Sequence, residues 1–149
     1  MSSSQEMLSQ SCIYAIRATI LISSKDSKDN NNYIPVKELS DELNISFHFL
    51  TKTLQHLTHA NILESYTGPK GGVKLAKPAN KIFLIDIIEA IDGEDIFNTC
   101  ILGLVDCCDS KPCPLHKKWK QSKSQTQKIF EKTNLATLAK DTKNFKLRL

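Results

Sequence analysis

Four of the five cysteines of this chain lie within fourteen residues, at Cys100, Cys107, Cys108 and Cys113. His116 follows the last of them with two residues between, and Cys12 stands alone. An odd number of cysteines cannot form a complete disulfide framework, and clustered thiols in a reducing compartment are typical of a metal site. Three thiolates and an imidazole can hold either a zinc ion or an iron–sulfur cluster.

The spacing of these thiols favours the iron–sulfur cluster. Six residues separate Cys100 from Cys107, and five separate Cys107 from Cys113. This is wider than the paired cysteines of most structural zinc sites. Thiols so far apart on an irregular loop suit a centre with two or more irons. A [2Fe–2S] cluster is favoured over a [4Fe–4S] cluster. Zinc, or reduced cysteines without a metal, are the alternatives, and Cys12 is interpreted as a small buried apolar residue.

The elements before this loop include a helix-turn-helix. Apolar residues at spacings of three and four predict an amphipathic helix over 5–23, followed by an exposed loop from Ser24 to Asn32. A short helix then ends at Asn44, which is expected to adopt the left-handed conformation that closes helices. Ser46 is a good N-cap for a second helix that reaches Ala60. Two helices separated by about three residues form a helix-turn-helix.

The hydrophobic period then changes to that of strands. Alternating residues over 62–66 and 73–77 flank a Gly-rich segment, Gly68 to Gly72, which predicts a β-hairpin. A strongly apolar helix over 82–91 follows and ends at Gly93.

Beyond the cysteine loop, the chain from Leu115 to about Thr133 contains no Gly or Pro and predicts one long helix. Its seam of apolar and small residues is weak and heptad-like, with Trp119 and Ile129 as its large members. The helix is too polar to fold alone. We therefore expect it to pack against a partner helix, including one from a second subunit.

A helix-turn-helix followed by a Gly-tipped hairpin is the order of elements in a winged helix. Residues 46–81 contain five lysines and one acid, so positive charge lies where DNA phosphates would be. Lys70 at the hairpin tip is expected to contact phosphate. The residues near the start of the second helix that could reach base edges or phosphates are Ser46, His48, Thr51, Lys52 and Gln55, and Phe49 could touch a thymine methyl.

Several other classes of function are disfavoured. The longest mainly apolar stretch, from Cys12 to Ile22, is eleven residues and contains Arg17, too short to cross a membrane. The first residues lack the pattern of a secretory signal, so a cytoplasmic location is expected. No nucleophile–base pair, phosphate-binding loop or paired carboxylates point to an enzyme.

Residues 111–149 carry 11 basic and 2 acidic groups, which is more typical of a solvated helix face than of a nucleic-acid contact.

Four segments together carry a family resemblance: LSDELNIS before the second helix, the hairpin tip GPKGG, IIEAIDG, and CPLHKKW after the spaced cysteines. In this combination the chain resembles, over nearly its whole length, the IscR/NsrR family of bacterial iron–sulfur winged-helix repressors, the Rrf-two family. The resemblance implies a homodimer joined through the long helix, a pseudo-palindromic double-stranded operator, and an affinity for DNA that is set by the cluster.

The resemblance also implies site residues, carried over by position. The cluster cysteines match Cys100, Cys107 and Cys113, and the base-contacting positions match Ser46, His48, Phe49 and Lys52. Cys108 could replace Cys107. Some members supply a fourth ligand from an acid in the first helix, but that place holds Ile13 here. His116 is therefore the best fourth ligand, with Cys12 as a less favoured alternative.

The sequence thus predicts a mainly α fold with a small β-hairpin wing, a winged helix-turn-helix followed by a long C-terminal dimerisation helix. We expect a DNA-binding domain over 1–93, a cluster-binding loop over 94–116, and a dimerisation helix with a C-terminal tail over 115–149. The expected function is a dimeric transcriptional regulator that senses iron, nitric oxide or redox state. The alternative is a zinc-stabilised or thiol-sensing winged-helix repressor.

Overall fold

The computed structural model describes residues 7–29 and 32–145. Within these residues there are six α-helices and one antiparallel sheet of two strands. The order is α1 (Gln10–Asp29), α2 (Val36–Leu43), α3 (Phe47–His59), β1 (Leu63–Tyr66), β2 (Gly72–Leu75), α4 (Leu84–Asp92), α5 (His116–Lys132) and α6 (Leu135–Phe145). The predicted mainly α fold with a hairpin wing is confirmed.

Helices α2 and α3 form the predicted helix-turn-helix. Asn44 ends α2 in the left-handed conformation, with φ 53° and ψ 47°, and its N–H donates to the last carbonyls of that helix. Asparagine tolerates this conformation better than most residues. Ser46 occupies the N-cap position of α3, but its side chain makes no capping hydrogen bond. The inner face of α3 is therefore anchored by its leucines, with Leu50, Leu54 and Leu57 buried.

The hairpin is antiparallel, with Leu63 opposite Leu75 and Tyr66 opposite Gly72. Ile34 extends it to a third chain segment, because Ile34 and Val73 exchange two backbone hydrogen bonds of 2.8 and 2.9 Å. Glycine is required at the tip for close packing. A Cβ on Gly72, whose φ is +155°, would lie 2.0 Å from the carbonyl oxygen of Ile34.

Helix α1 is longer than predicted at its C-terminal end, where we expected an exposed loop from residue 24. It continues to Asp29, because the polar residues there have partners. Lys25 forms ion pairs with Glu38 at 2.9 Å and Glu42 at 2.6 Å on α2. Hydrogen bonds to these carboxylates, Glu42 first, raise the pKa of Lys25 despite its burial. The polar residues from Ser24 to Asp29, which we expected to form a loop, therefore continue the helix.

Helix α1 also starts later than predicted. Residues 5 and 6 lie outside the described residues, and α1 begins at Gln10. Ser9 caps it, because its Oγ accepts the N–H of Cys12 at 3.1 Å. The backbone N–H and the Oγ of Ser9 in turn donate to the carboxylate of Asp92, at the end of α4.

Helix α6 was not predicted, since we expected only a C-terminal tail after the long helix. Its first residue, Leu135, is fully buried, and the helix packs against α1. Two backbone hydrogen bonds of 2.9 Å, from Leu84 to Thr133 and from Leu135 to Ile82, attach the α5–α6 junction to the start of α4. The chain thus returns to the N-terminal domain after α5.

One hydrophobic core joins these elements. Its largest fully buried side chains include Ile22, Leu39, Leu50, Leu54, Leu57, Leu63, Ile82, Ile87 and Leu135. Among the described helices, none is long and apolar enough to cross a membrane. The core fixes the orientation of α3 and of the hairpin relative to each other.

Candidate nucleic-acid interface and metal centre

The face of α3 opposite its buried leucines is open to solvent. His48 and Lys52 are exposed on it, and Ser46 is exposed at the N-cap just before the helix. Gln55 is exposed one turn further along, whereas Thr51 is half-buried and its hydroxyl donates to the carbonyl of Phe47 at 2.8 Å. The structure thus brings the predicted polar DNA-contacting residues of this helix to one surface.

Phe49 lies on the same surface but is held by α1. Its ring makes an edge-to-face contact with Tyr14, with the ring centroids 5.6 Å apart. The guanidinium of Arg17 lies 5.9 Å from the Tyr14 centroid. Phe49 remains 40% exposed, so a thymine methyl can still reach its free side while Tyr14 limits how far the ring can turn.

The hairpin, or wing, presents both lysine and tyrosine side chains. Lys70 is exposed at the tip. Tyr66 is 57% exposed and lies 5.5 Å from Tyr33, between ring centroids. Lys74 sits 4.8 Å from the Tyr33 centroid and 3.7 Å from the carboxylate of Glu64. Sequence reasoning missed the two tyrosines, although only Thr67 separates Tyr66 from the Gly-rich tip.

A cavity of about 720 Å³ separates α3 from the wing. Phe47, Thr51 and Gln55 line it from α3, and Tyr66 and Gly72 line it from the wing. In a winged helix the second helix enters the major groove while the wing contacts the neighbouring backbone. An open groove between the two elements is compatible with DNA on that side of the molecule.

The cysteine loop brings three sulfur atoms together. The sulfurs of Cys100, Cys107 and Cys113 all lie within 4.8 Å of one another, and those of Cys100 and Cys113 are 3.7 Å apart. Two thiolates on one tetrahedral metal ion, with bonds of about 2.3 Å, are separated by about 3.8 Å. These three partly buried thiols are therefore suitable donors for a metal ion or for the irons of a cluster.

The other two cysteines lie apart from this group. Cys108 is exposed, and its sulfur is 3.0 Å from the hydroxyl of Ser110. Cys12 is fully buried in α1. Burial, followed by the nearby carboxylate of Asp92, raises the pKa of Cys12 to about 12, as expected for a thiol that serves packing.

His116 touches the sulfur group at one edge. Its Nδ1 is 3.3 Å from the sulfur of Cys107, but the imidazole lies outside the set of mutually close ligand atoms. Its Nε2 is 2.9 Å from the carboxylate of Asp109, which also accepts hydrogen bonds from Lys120 at 2.8 and 3.0 Å. Hydrogen bonds from Lys120 and then His116 lower the pKa of Asp109. Sequence reasoning missed Asp109, for which the only signal was its position two residues after Cys107.

Two of the clustered thiols, Cys100 and Cys107, differ in acidity. Backbone hydrogen bonds from Leu104 and Leu102 lower the pKa of Cys100 to about 7, against the opposing effect of burial. A backbone hydrogen bond from Cys113 also lowers the pKa of Cys107, but burial and the neighbouring thiols raise it more. Cys100 is thus more ready than Cys107 to be a thiolate near neutral pH, the form that binds metals.

The loop is attached to α5. Trp119 Nε1 and Lys123 Nζ both donate to the backbone carbonyl of Thr99, at 3.0 and 3.1 Å. The rings of Phe97 and Phe130 lie 6.1 Å apart between centroids. Along α5, Leu115 and Ile129 remain 42% and 60% exposed. Of the predicted apolar seam, Trp119 therefore contacts the cysteine loop, whereas Leu115 and Ile129 face the solvent.

A helix-turn-helix with an open polar face on its second helix, followed by a hairpin with basic and aromatic residues, defines a winged-helix DNA-binding protein. Residues 8–141 match the family model described as Rrf2, iron-dependent transcriptional regulator. The chain therefore belongs to the Rrf2 family of transcriptional regulators, as the sequence resemblance implied.

Relatives of known name support this assignment. A helix-turn-helix-type transcriptional regulator of Aquifex aeolicus is 32% identical over 112 residues, which cover 74% of this chain and 78% of that protein. The regulator IscR of Vibrio campbellii is 29% identical over 110 residues, covering 74% of this chain and 65% of its own length. These relatives are regulators and not enzymes, in agreement with the prediction.

Solved structures share the fold. CymR of B. subtilis, described as the global cysteine regulator, superposes with a TM-score of 0.73 at 22% identity, over 89% of this chain and 95% of that one. IscR of T. potens superposes with a TM-score of 0.72 at 18% identity, over 99% and 96% of the two chains. At these identities the superpositions establish the winged-helix fold.

Proposed function

We propose that this chain is a homodimeric transcriptional regulator whose affinity for its operator is set by an iron–sulfur cluster. The observation that carries the proposal is the group of three sulfurs, from Cys100, Cys107 and Cys113, within 4.8 Å of one another in a protein of this family. His116 is the fourth ligand, since its Nδ1 already lies 3.3 Å from the sulfur of Cys107. A [2Fe–2S] cluster suits three thiolates and one imidazole.

DNA recognition in this proposal is divided between α3 and the wing. Ser46, His48, Phe49 and Lys52 read base edges in the major groove, because all four are exposed at or just after the N-terminus of α3. Lys70 contacts a phosphate from the tip of the wing. The operator is pseudo-palindromic, because a symmetric dimer presents two copies of α3 to two half-sites.

The dimer contact in this proposal is α5. Its exposed apolar residues, Leu115 and Ile129, lie on a helix with no fully buried residue among those described. Apolar side chains in that position gain stability when a second helix covers them. The proposal keeps the domain boundaries expected from the sequence, 1–93, 94–116 and 115–149, except that α6 packs against α1 and belongs with the N-terminal core.

The cluster acts on DNA affinity through the cysteine loop. Ligation fixes the positions of Cys100, Cys107 and Cys113, and contacts from α5 reach the loop next to the first of these. Because α5 also joins the subunits, a change in the loop changes the distance between the two copies of α3. A coupling of about 1–3 kcal/mol would change operator occupancy by roughly 5- to 150-fold.

The experiment that tests the cluster is anaerobic purification with iron and sulfide analysis of serine variants. Cys100→Ser, Cys107→Ser and Cys113→Ser should each lose iron, because each removes one thiolate ligand. Cys108→Ser is the matched control, an exposed cysteine of the same loop, and should retain iron. Loss in Cys108→Ser with retention in Cys107→Ser would assign the ligand to Cys108 instead.

A second candidate function has support from the same sulfurs. The 3.7 Å separation of the Cys100 and Cys113 sulfurs also fits one zinc ion, and CymR of B. subtilis is described as a cysteine regulator. In that case the protein is a zinc-stabilised or thiol-sensing repressor. Visible absorption of anaerobically purified protein separates the two, because zinc has no visible charge-transfer bands.

A further inference from the structure

A line of hydrogen bonds runs from α5 to the sulfur of Cys107. Lys120 donates to both carboxylate oxygens of Asp109, at 2.8 and 3.0 Å. Asp109 Oδ1 lies 2.9 Å from Nε2 of His116, and Nδ1 of His116 lies 3.3 Å from the sulfur of Cys107. Four side chains are thus connected in sequence, and α5 supplies two of them one helical turn apart.

The chemistry of these groups fixes the proton on the imidazole. An ionised carboxylate can only accept hydrogen bonds, so Nε2 of His116 must carry the hydrogen that points to Asp109. In a neutral imidazole the other nitrogen, Nδ1, then has a free lone pair. That lone pair faces Cys107, and a free lone pair is what a metal ligand needs.

Asp109 is held in place from two directions. Its backbone belongs to a turn that Cys108 and Lys111 close with two hydrogen bonds of 3.4 and 3.1 Å. Its side chain is 73% exposed, so Lys120 and His116 are the groups that restrict the rotation of the carboxylate. Lys120 therefore orients the carboxylate of Asp109, and Asp109 in turn orients the imidazole of His116.

We propose that Asp109 is a positioning residue, which fixes the tautomer and the ring orientation of His116 so that Nδ1 serves as the fourth ligand beside Cys107. This inference rests on the proposed function and adds to it a residue outside the ligand set. Carboxylates that hold a ligating histidine in this way commonly strengthen metal binding 10- to 100-fold.

The first test needs no metal. In cluster-free protein, long-range ¹H–¹⁵N NMR at about two pH units above the usual imidazole pKa of about 6.5 reports which nitrogen of His116 carries the hydrogen. Wild-type protein should show hydrogen almost entirely on Nε2, and Asp109→Ala should show a larger fraction with hydrogen on Nδ1, because an unrestrained imidazole has only a modest preference for Nε2. Hydrogen on Nδ1 in the wild type, or no change in Asp109→Ala, would overturn the inference.

The second test measures retention of the cluster against an iron chelator. Asp109→Ala should lose iron about 10- to 100-fold more readily than wild type, and Asp109→Asn, which keeps an acceptor oxygen, should fall between the two. Asp106→Asn is the charge-matched control, since Asp106 is exposed on the same loop and makes no side-chain hydrogen bond among the described residues. Equal retention in Asp109→Ala and wild type would overturn the inference.

Folding and the proposed function are checked separately. If Asp109→Ala does not fold, as judged by circular dichroism, Lys120→Met replaces it, because it frees the carboxylate without altering the loop. Its His116 should then show a weaker preference for hydrogen on Nε2, and an unchanged preference counts against the inference. Wild-type protein that holds no iron or sulfide overturns the proposed function, while the NMR measurement still decides the role of Asp109.

Discussion

Trp119 Nε1 donates a hydrogen bond of 3.0 Å to the backbone carbonyl of Thr99, the residue just before Cys100. The same helix reaches the far side of the loop through His116 and Lys120, which both contact Asp109. The first turns of α5 therefore hold the cysteine loop at two points, one just before Cys100 and one between Cys107 and Cys113. A change in the position of the loop must therefore shift its contacts with α5. For this reason we propose that α5 couples metal binding to DNA binding.

The proposed dimer contact is tested best at Ile129, because Trp119 also binds the loop and its substitution would disturb both the loop and the contact. Ile129→Asp should dissociate the dimer. Each buried isoleucine contributes about 1.5–3 kcal/mol, and a two-fold interface contains it twice. The dissociation constant should therefore rise at least a hundredfold, measured by light scattering over a range of concentrations.

Ser124→Asp is the control for this experiment. It adds the same charge to α5 at an exposed position, on the side facing Phe97 and Lys120. It should leave the dimer intact. Wild-type protein that is monomeric at micromolar concentration would contradict the proposed interface, as would equal dissociation in both variants.

DNA recognition should fail in two distinguishable ways. Lys70→Ala removes a phosphate contact, so binding to all sequences should weaken. The slope of the logarithm of the association constant against the logarithm of the salt concentration should decrease in magnitude by about one. His48→Ala or Lys52→Ala removes a base contact and should cost about 1–3 kcal/mol, mainly on the specific operator. Gel-shift titrations at several salt concentrations measure both effects.

Uniform losses in all three of these variants would mean that none of the three residues reads bases. Unchanged affinity in all three would contradict docking through α3 and the wing. The Lys-rich face of α5 would then be the next surface to examine, since residues 111–149 carry 11 of the 20 basic groups of the chain.

The helix-turn-helix and the wing could be predicted because their signals are local. Asn44 closes α2 by its own conformational preference, and glycines at the hairpin tip permit a turn that other residues would block. Helix α6 lacks such signals, since it depends on the burial of Leu135 against α1 and on pairing with the residues before α4. Contacts of this kind join residues that are far apart in sequence.

The candidate site divides in the same way. The spacing of the cysteines predicted a group at Cys100, Cys107 and Cys113, and the structure brings these sulfurs together. The position of Asp109 beside His116 depends on how an irregular loop folds back on α5. No periodicity or cap in the sequence encodes that path, so the carboxylate could not be assigned in advance.

The wing should be sensitive to a single methyl group at Gly72. In Gly72→Ala the new Cβ would lie 2.0 Å from the Ile34 carbonyl oxygen, which accepts a hydrogen bond from Val73. The bridge between these segments must therefore shift. We expect a loss of about 1–3 kcal/mol in the free energy of unfolding, together with weaker DNA binding, measured by urea denaturation and gel shift.

Gly93→Ala is the matched comparison for Gly72→Ala. Gly93 also has a positive φ, +78°, but a Cβ there would have no neighbour within 4 Å. It should cost the conformational strain of a φ of 78° with a ψ of −179°, about 1–3 kcal/mol, and leave the wing and DNA binding intact. Equal losses of stability and of DNA binding in the two variants would rule out the steric explanation for Gly72.

Alkylation should modify Cys108 and Cys100 early and Cys12 last in cluster-free protein. Cys108 is exposed, whereas Cys12 is fully buried with a pKa raised to about 12 by its burial. Only the thiolate reacts, and at about pH 9 roughly one Cys12 in a thousand is ionised. Because the folded-state pKa is raised, Cys12 stays protected throughout the neutral range and reacts only as pH approaches that value or as the protein unfolds.

Iodoacetamide labelling followed by peptide mass spectrometry gives the order of modification. Adding urea should expose Cys12 at the concentration where the fold is lost, so its labelling reports global unfolding. Metal binding should protect Cys100, Cys107 and Cys113 while Cys108 remains reactive, since the ligand thiolates are then occupied. Rapid labelling of Cys12 in folded protein would contradict its place in the core, and protection of Cys108 by metal would include it among the ligands.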